Sequence, residues 1–328
     1  MRSDRLQHAL KSGLVLPDDA RCVLIGAPGD FEIDAFAPGS TVVQQDFRPD
    51  FDHWERRGVT VTDNAQGPFD IAIAFIPRAR ALAESRVAQA CALAPGGLVI
   101  IDGQKEDGVE SVLKAMRGRT TLEGVVSKAH GKLAWLAASD AFADWAHGAT
   151  RNSDGFWTAP GVFSSDATDP ASAFLADALP RGLSGQIADL GAGWGALAPT
   201  ILRSDTVAAL HLVEADKAAL DCARRNVTDP RAHFHWADAT TWKTPAPLDA
   251  VVMNPPFHAG RRGDPGIGQS FIAAAARLLS QSGHLWMVAN RHLPYEAALT
   301  KHFRDCTETG GDARFKILHA RRPTRHKG

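Results

Sequence analysis

Met253-Asn254-Pro255-Pro256-Phe257-His258 closes an apolar run, Ala250 to Met253. An apolar run followed by Asn-Pro-Pro-aromatic reads as a strand that stops at a rigid loop, because each proline fixes its own φ and biases the residue before it towards extended geometry. Such a loop holds the Asn254 amide and the Phe257 ring in a defined relation at a strand's carboxyl end, where ligands bind in open α/β sheets. An amide beside a ring, followed by carbonyls with no proline N–H to compete for them, suits a planar group bearing an exocyclic amine. The same four residues also describe an ordinary proline-terminated strand, so the neighbouring sequence has to decide.

Upstream, Gln186-Ile-Ala-Asp-Leu190 reads as a strand and Gly191-Ala-Gly-Trp-Gly195 as a tight turn into a helix over 196–203. Glycines at such a turn let backbone approach a ligand closely, a feature shared with dinucleotide dehydrogenases. A second strand, Ala208 to Val213, ends in Glu214, about 20 residues past the glycines, where an acid accepts hydrogen bonds from ribose hydroxyls. At this offset ribose binding outweighs a merely solvated strand-end charge. Ala232 to Trp236 is a third strand, with Asp238 just beyond its end, where an acid meets an adenine amine. Leu248 to Met253 is the fourth and Gly283 to Ala289 the fifth. A last pair, 302–309 and 314–321, flanks Gly310-Gly311-Asp312 and reads as a hairpin. Before these elements, Trp157 to Asp166 forms a loop carrying Phe163 and Ser164. It leads into a helix from about Pro170 to Leu179, and it either closes over a bound cofactor or serves as a connector.

The first half carries the same landmarks in the same order. Strand 21–26 ends in Gly26-Ala-Pro-Gly-Asp30, strand 69–76 ends at Pro77, and helix 79–94 leads through Pro95-Gly96-Gly97 to strand 98–101. Its glycine turn departs from G-x-G-x-G, and Phe75-Ile-Pro-Arg78 stands where the second half has Asn-Pro-Pro-Phe. The reading is an internal duplication whose first copy keeps the fold without the chemistry; against it, any two α/β domains share a coarse pattern. The domain boundary falls near residue 150, giving 1–150 and 151–328.

Composition sets limits. At 328 residues, 45% hydrophobic and 22% charged, the chain has the length and composition of two ordinary globular domains. No apolar run approaches the ~20 residues that cross a bilayer. Cys22, Cys91, Cys222 and Cys306 show no C-x-x-C pairing, so neither a metal site nor a disulfide framework is expected and a reducing cytoplasm fits best. Residues 1–150 carry 16 Lys/Arg against 20 Asp/Glu and residues 151–328 carry 20 against 17; from Arg314 onward there are six basic residues and no acid. That balance is compatible with nucleic acid without demonstrating it.

Five strands with crossover helices and a terminal antiparallel hairpin resemble the sheet of class I S-adenosylmethionine-dependent methyltransferases. Within that class the chain resembles the ribosomal RNA guanine-N2 methyltransferases of the small-subunit type (RsmC-like). The resemblance spans roughly 155–322 and rests on Pro160-Gly-Val-Phe-Ser164 with Asp166 and Asp169, Asp189-Leu-Gly-Ala-Gly-Trp-Gly195, Asn254-Pro-Pro-Phe-His-Ala-Gly260, Val288 to Tyr295 and Arg314 to Leu318. Ala259 departs from the family pattern, which often has an acid there. The resemblance implies an α/β fold of two tandem Rossmann-like methyltransferase domains, the first degenerate and the second catalytic with a seven-stranded sheet ending in an antiparallel hairpin.

It implies S-adenosylmethionine as cofactor, held by Phe163, Asp189, Gly191, Gly193, Gly195, Glu214, Asp238 and Asn254. Catalysis falls to Asn254, Pro255 and Phe257, with substrate contacts from Phe257, His258, Arg261 and Arg262 and further phosphate contacts from the basic tail. His258 either touches the RNA backbone or caps its loop. The expected partner is ribosomal RNA of the small subunit, with no metal, no membrane and a monomeric chain. Methylation of adenine, of protein glutamine or of a large-subunit guanine is the alternative within this chemistry. An NAD-type oxidoreductase and a non-catalytic RNA-binding protein are the alternatives outside it.

Overall fold

The computed structural model describes residues 3–37, 39–256, 258–259, 262–263 and 265–324, with the side chains of 258, 259, 262, 263 and 265 left aside. Phe257 and Arg261, and the His258 and Arg262 side chains, therefore lie outside the described residues. The chain divides into two compact units, one of residues 1–149 with 159–161 and one of 150–158 with 162–328.

The first unit runs α1 (Ser3–Leu10), β1 (Cys22–Ile25), β2 (Thr41–Gln44), α2 (Arg48–Arg56), β3 (Thr60–Thr62), β4 (Ile71–Ile76), α3 (Arg80–Leu93), β5 (Leu98–Gln104), α4 (Val109–Arg117), β6 (Gly124–Lys128), β7 (Gly131–Ala137) and a 3-10 helix, Asp140–Trp145. Its seven strands lie in the order β3-β2-β1-β4-β5-β7-β6. The first five are parallel and β7 is antiparallel to both neighbours. Every residue of β4 is buried, as expected for a central parallel strand covered on both faces. Alternation then sorts the side chains. Val23, Ile25, Ala72 and Ala74 pack with α3 and α4, while Cys22, Leu24, Ile73 and Phe75 pack with α1 and Trp54.

The second unit opens with a short ribbon, β8 (Thr150–Arg151) and β9 (Trp157–Thr158). It continues α5 (Pro170–Ala178), β10 (Gly185–Leu190), α6 (Ala198–Ile201), β11 (Val207–Glu214), α7 (Lys217–Asn226), β12 (Ala232–Trp236) and β13 (Leu248–Met253). A second ribbon follows, β14 (His258–Ala259) and β15 (Arg262–Gly263), then α8 (Pro265–Leu278), β16 (Leu279–Asn290), α9 (Glu296–His302), β17 (Phe303–Gly311) and β18 (Phe315–Pro323). The main sheet has the order β12-β11-β10-β13-β16-β18-β17, which repeats the first sheet strand for strand. Again only β18 opposes its neighbours.

Leu190, Val251, Met253 and Met287 face α8 and α9; Ile187, Ala250, Val252 and Val288 face α5, α6 and α7. The chain leaves β10 towards β11 on one side, and β13 pairs on the other. The carboxyl ends of β10 and β13 thus flank the point where strand order reverses, the place where open α/β sheets bind ligands. No helix among the described residues is long and apolar enough to cross a membrane.

Candidate active site

The turn after β10 is pinned before it is shaped. Gly191 and Ala192 donate their N–H groups to the Val213 carbonyl at 2.9 and 3.2 Å, fastening the turn to β11. Gly191, Gly193 and Gly195 take φ of +75°, +55° and +87°, a region that favours glycine. They differ in what they face. Among the described residues a Cβ on Gly193 would meet nothing within 4 Å, whereas one on Gly195 would meet Val227 Cγ2 at 3.0 Å and Ala223 Cβ at 3.5 Å. Gly193 therefore opens onto the crevice, and Gly195 lets the turn pack against α7.

Two acids border this turn. Asp189 is 1% exposed, and neither carboxylate oxygen has a hydrogen-bond partner among the described residues. Burial, with a contribution from the nearby Glu214 charge, pushes its pKa up to about 8. Glu214, partly buried at the end of β11, accepts from Gly193 N at 2.7 Å and from Asp216 N at 2.8 Å. Burial raises its pKa while those backbone donors oppose the rise. Asp238 lies beyond the neighbouring strand, where Ala237 N donates to the Glu214 carbonyl at 3.0 Å. One of its oxygens accepts from Thr240 N and Oγ1 at 2.8 and 2.7 Å, so part of its capacity goes to its own turn.

Asn254 follows β13 directly. Its amide Nδ2 donates to Asp169 Oδ2 and to Ser172 Oγ, both at 2.9 Å. With both amide hydrogens committed, the side chain presents its carbonyl oxygen as an acceptor. Asp169 is the N-cap of α5, where its carboxylate also accepts from Ser172 N at 2.9 Å ahead of Pro170 in the first turn, a favoured pairing at a helix start. Ser172 is the functional candidate that sequence reading missed: it sits 82 residues from Asn254, and serine within a helix carries no local signature. Phe163, 61% exposed, and Ser164, at φ +52°, complete the rim. A single cleft is lined by Phe163, Asp169, Ser172, Asp189, Gly191, Gly193 and Asn254 together with the rest of the turn. Gly195, Glu214 and Asp238 stand outside that lining; Glu214 reaches it through Gly193.

The basic tail has a different character in the structure. Lys316 is buried against Glu296 at 2.5 Å, Arg314 pairs with Asp312, and Arg321 and Arg322 share Asp305. These four of its six cations are matched by carboxylates of their own unit.

The first unit shows the same station with other residues. Register places Leu24, Gln45 and Phe75 where the second unit has Asp189, Glu214 and Asn254. Gln45 repeats the local bonding of Glu214, its side-chain oxygen accepting from Phe47 N at 3.0 Å, but its amide donates to the Ala27 carbonyl at 2.7 Å. The Arg86 guanidinium lies against Gly26 and donates to the Phe75 carbonyl at 2.7 Å. An arginine thus fills the position beside the glycine turn.

A glycine turn, an acid-ended second strand and an amide clamp at the sheet's reversal point define a nucleotide-cofactor site of methyltransferase type. The model of the methyltransferase small domain family matches residues 154–319, and the chain belongs to that family. It is 28% identical over 275 residues to a ribosomal RNA small subunit methyltransferase C of Hahella chejuensis, with 78% of each chain covered. A ribosomal RNA large subunit methyltransferase G of Shewanella oneidensis is 32% identical over 168 residues, covering 49% of this chain and 44% of that one. Among solved structures, a 16S rRNA N2 methyltransferase of T. thermophilus in complex with AdoMet and guanosine matches with a TM-score of 0.78 at 25% identity, over 98% of this chain and 91% of that one.

Proposed function

We propose that the second unit transfers a methyl group from S-adenosylmethionine to the exocyclic N2 amine of a guanosine in ribosomal RNA, with 16S RNA of the small subunit as substrate. The observation that carries this reading is the Asn254 amide, oriented by Asp169 and Ser172 so that its carbonyl oxygen is the group on offer. The relatives named above act on ribosomal RNA, and the chain matches one of them over nearly its full length.

The residues fit the cofactor. Asp189 is a buried carboxyl without a partner among the described residues, and a cationic ligand supplies what it lacks. The open space at Gly193 admits a ligand against bare backbone. Asp189, Gly191 and Gly193 would hold the amino-acid and ribose region, with Phe163 at the rim. Glu214 would take ribose hydroxyls by exchanging its bond to Gly193, and Asp238 the adenine amine through its remaining acceptor capacity. Bound S-adenosylmethionine supplies an electrophilic methyl on its sulfonium.

The chain's own residues then position the acceptor. The Asn254 side-chain oxygen and the Pro255 backbone carbonyl accept the two N–H bonds of the guanine amine, which directs its lone pair outward. Both oxygens stabilise the positive charge that grows on nitrogen during attack. No group with a tuned basicity is required, since the proton departs after transfer. Phe257 would stack on the base, an interaction worth ~1–3 kcal/mol, and a base in structured RNA has to be flipped out to reach it. His258, Arg261 and Arg262 are assigned to RNA contacts on their place in the sequence. The first unit, with its cofactor station occupied by Arg86, serves as scaffold and substrate-positioning domain of a monomeric, cytoplasmic enzyme.

The direct test is tritiated methyl transfer to unmodified small- and large-subunit RNA and particles, followed by mapping of the product. N2-methylguanosine in small-subunit RNA is expected; label on adenine or on protein glutamine overturns the assignment.

A further inference from the structure

We infer that Arg151 and Arg225, stacked on Trp157 and flanked by Arg224 on Phe234, form a surface that grips the phosphate backbone of the RNA substrate. The inference rests on the RNA reading above and places a contact where neither the motifs nor the basic tail point. The Arg225 guanidinium carbon lies 3.3 Å from the centroid of the Trp157 ring and that of Arg151 lies 5.0 Å from it. Arg224 sits 4.9 Å from the Phe234 centroid. All three arginines are exposed.

Two guanidiniums on one indole repel each other, and packing alone would be served by one. That repulsion is left uncompensated among the described residues. Among the described residues neither Arg151 nor Arg225 has a carboxylate partner, and the Arg151 guanidinium donates only to the Gly155 carbonyl. The acids close in sequence are engaged elsewhere. Asp221 is held by Lys217 at 3.0 Å and approaches only Arg224, at 3.8 Å. Asp154 accepts from Thr168 N and Oγ1, both at 2.7 Å. Arg314, Arg321 and Arg322 of the tail, by contrast, are matched by Asp312 and Asp305. A guanidinium lying on a ring keeps its N–H edges free, and its planar fork suits phosphate oxygens. Stacking also removes much of the side-chain freedom that binding would otherwise have to freeze.

The platform is tied to the cofactor turn. Asn226 accepts from Trp157 N at 2.7 Å and donates from Nδ2 to the carbonyls of Trp157 and Trp194, both at 2.9 Å. Phe156 packs on Trp194 with ring centroids 4.9 Å apart. A backbone held at Trp157 is thereby registered against the turn that carries Gly193.

The test uses the full chain and the double variant Arg151→Met/Arg225→Met, whose side chains keep apolar contact with the ring without the charge. Binding to unmodified small-subunit RNA is measured by filter retention across a salt series, with melting temperature and S-adenosylmethionine calorimetry as controls of the fold. The expected result is weaker RNA binding, with the slope of log affinity against log salt reduced by about 2, roughly 1 for each phosphate contact removed, while both controls match wild type. Wild-type and variant slopes that coincide while wild type methylates RNA overturn the surface and leave the reaction standing. A wild-type chain that transfers no methyl to RNA, but whose binding slope still falls in the variant, overturns the reaction and leaves the surface standing. Failure of the wild type to bind RNA at all overturns both.

Discussion

At the scale of single residues, the site sets one unpartnered carboxyl, Asp189, among polar groups that are held by their neighbours. Asp189 is 1% exposed, and neither of its oxygens has a partner among the described residues. Its pKa of about 8 in the folded chain lies above the ordinary aspartate value of about 3.9. Between those values the native state holds a proton that the unfolded state has released, so stability from this group is present at low pH and lost as pH rises through about 8. Asp189→Asn removes that dependence. The ligand-free variant should gain melting temperature relative to wild type progressively from pH 5 to pH 8.5; a difference that stays constant with pH contradicts the assignment. Ser172 makes the opposite kind of contribution, completing the orientation of Asn254. Ser172→Ala leaves Asp169 as the sole partner of the amide and should lower the methyl-transfer rate about tenfold while S-adenosylmethionine affinity, read by calorimetry, changes little. Equal losses in both would make Ser172 a packing residue. Asn254 was legible in the sequence because two prolines announce it. Ser172 was not, because its meaning lies in a contact between segments far apart in the chain.

At the scale of elements, the glycine turn separates two requirements that a motif merges. All three glycines have left-handed φ, which costs a side chain about 1–2 kcal/mol. Only Gly195 adds a steric conflict, with Val227 at 3.0 Å. Gly195→Ala should therefore melt lower than Gly193→Ala, and Gly193→Ala should lose more S-adenosylmethionine affinity; the reverse ranking in thermal melts and calorimetry would show that the turn is read wrongly. The strands were the legible elements. Apolar runs ending in Gly, Pro or acid located β12 and β13 to the residue and β1, β10 and β11 to within about two residues at each end. The helix expected over 196–203 is shorter, Ala198–Ile201, since backbone up to Leu197 is spent on the glycine turn. The first unit's hairpin, β6 with β7, and helices α2, α4 and α9 were not read at all. The turn of that hairpin lacks the usual signal, since Ala129 and His130 take φ of +49° and +55° where glycine or asparagine is favoured.

At the scale of the whole molecule, two sheets with one strand order carry opposite outcomes at the same station. The duplication was visible as a repeated order of landmarks, and the missing G-x-G-x-G already set the first copy apart. What replaces the chemistry was not visible, because Arg86 reaches the Gly26 turn from the middle of a helix and Gln45 differs from an acid by a single group. Filled by its own arginine and lacking the counterparts of Asp189 and Asn254, the first unit should take up no cofactor, so the full chain is expected to bind one. The role of Asn254 is measured by a calorimetric titration of wild type and of Asn254→Ala with S-adenosylmethionine, paired with methyl transfer to unmodified small-subunit RNA. Both proteins are expected to bind one equivalent, with a methyl-transfer rate lower in the variant by about 100-fold or more. Near-normal transfer by Asn254→Ala, or two equivalents bound per chain, would contradict that expectation.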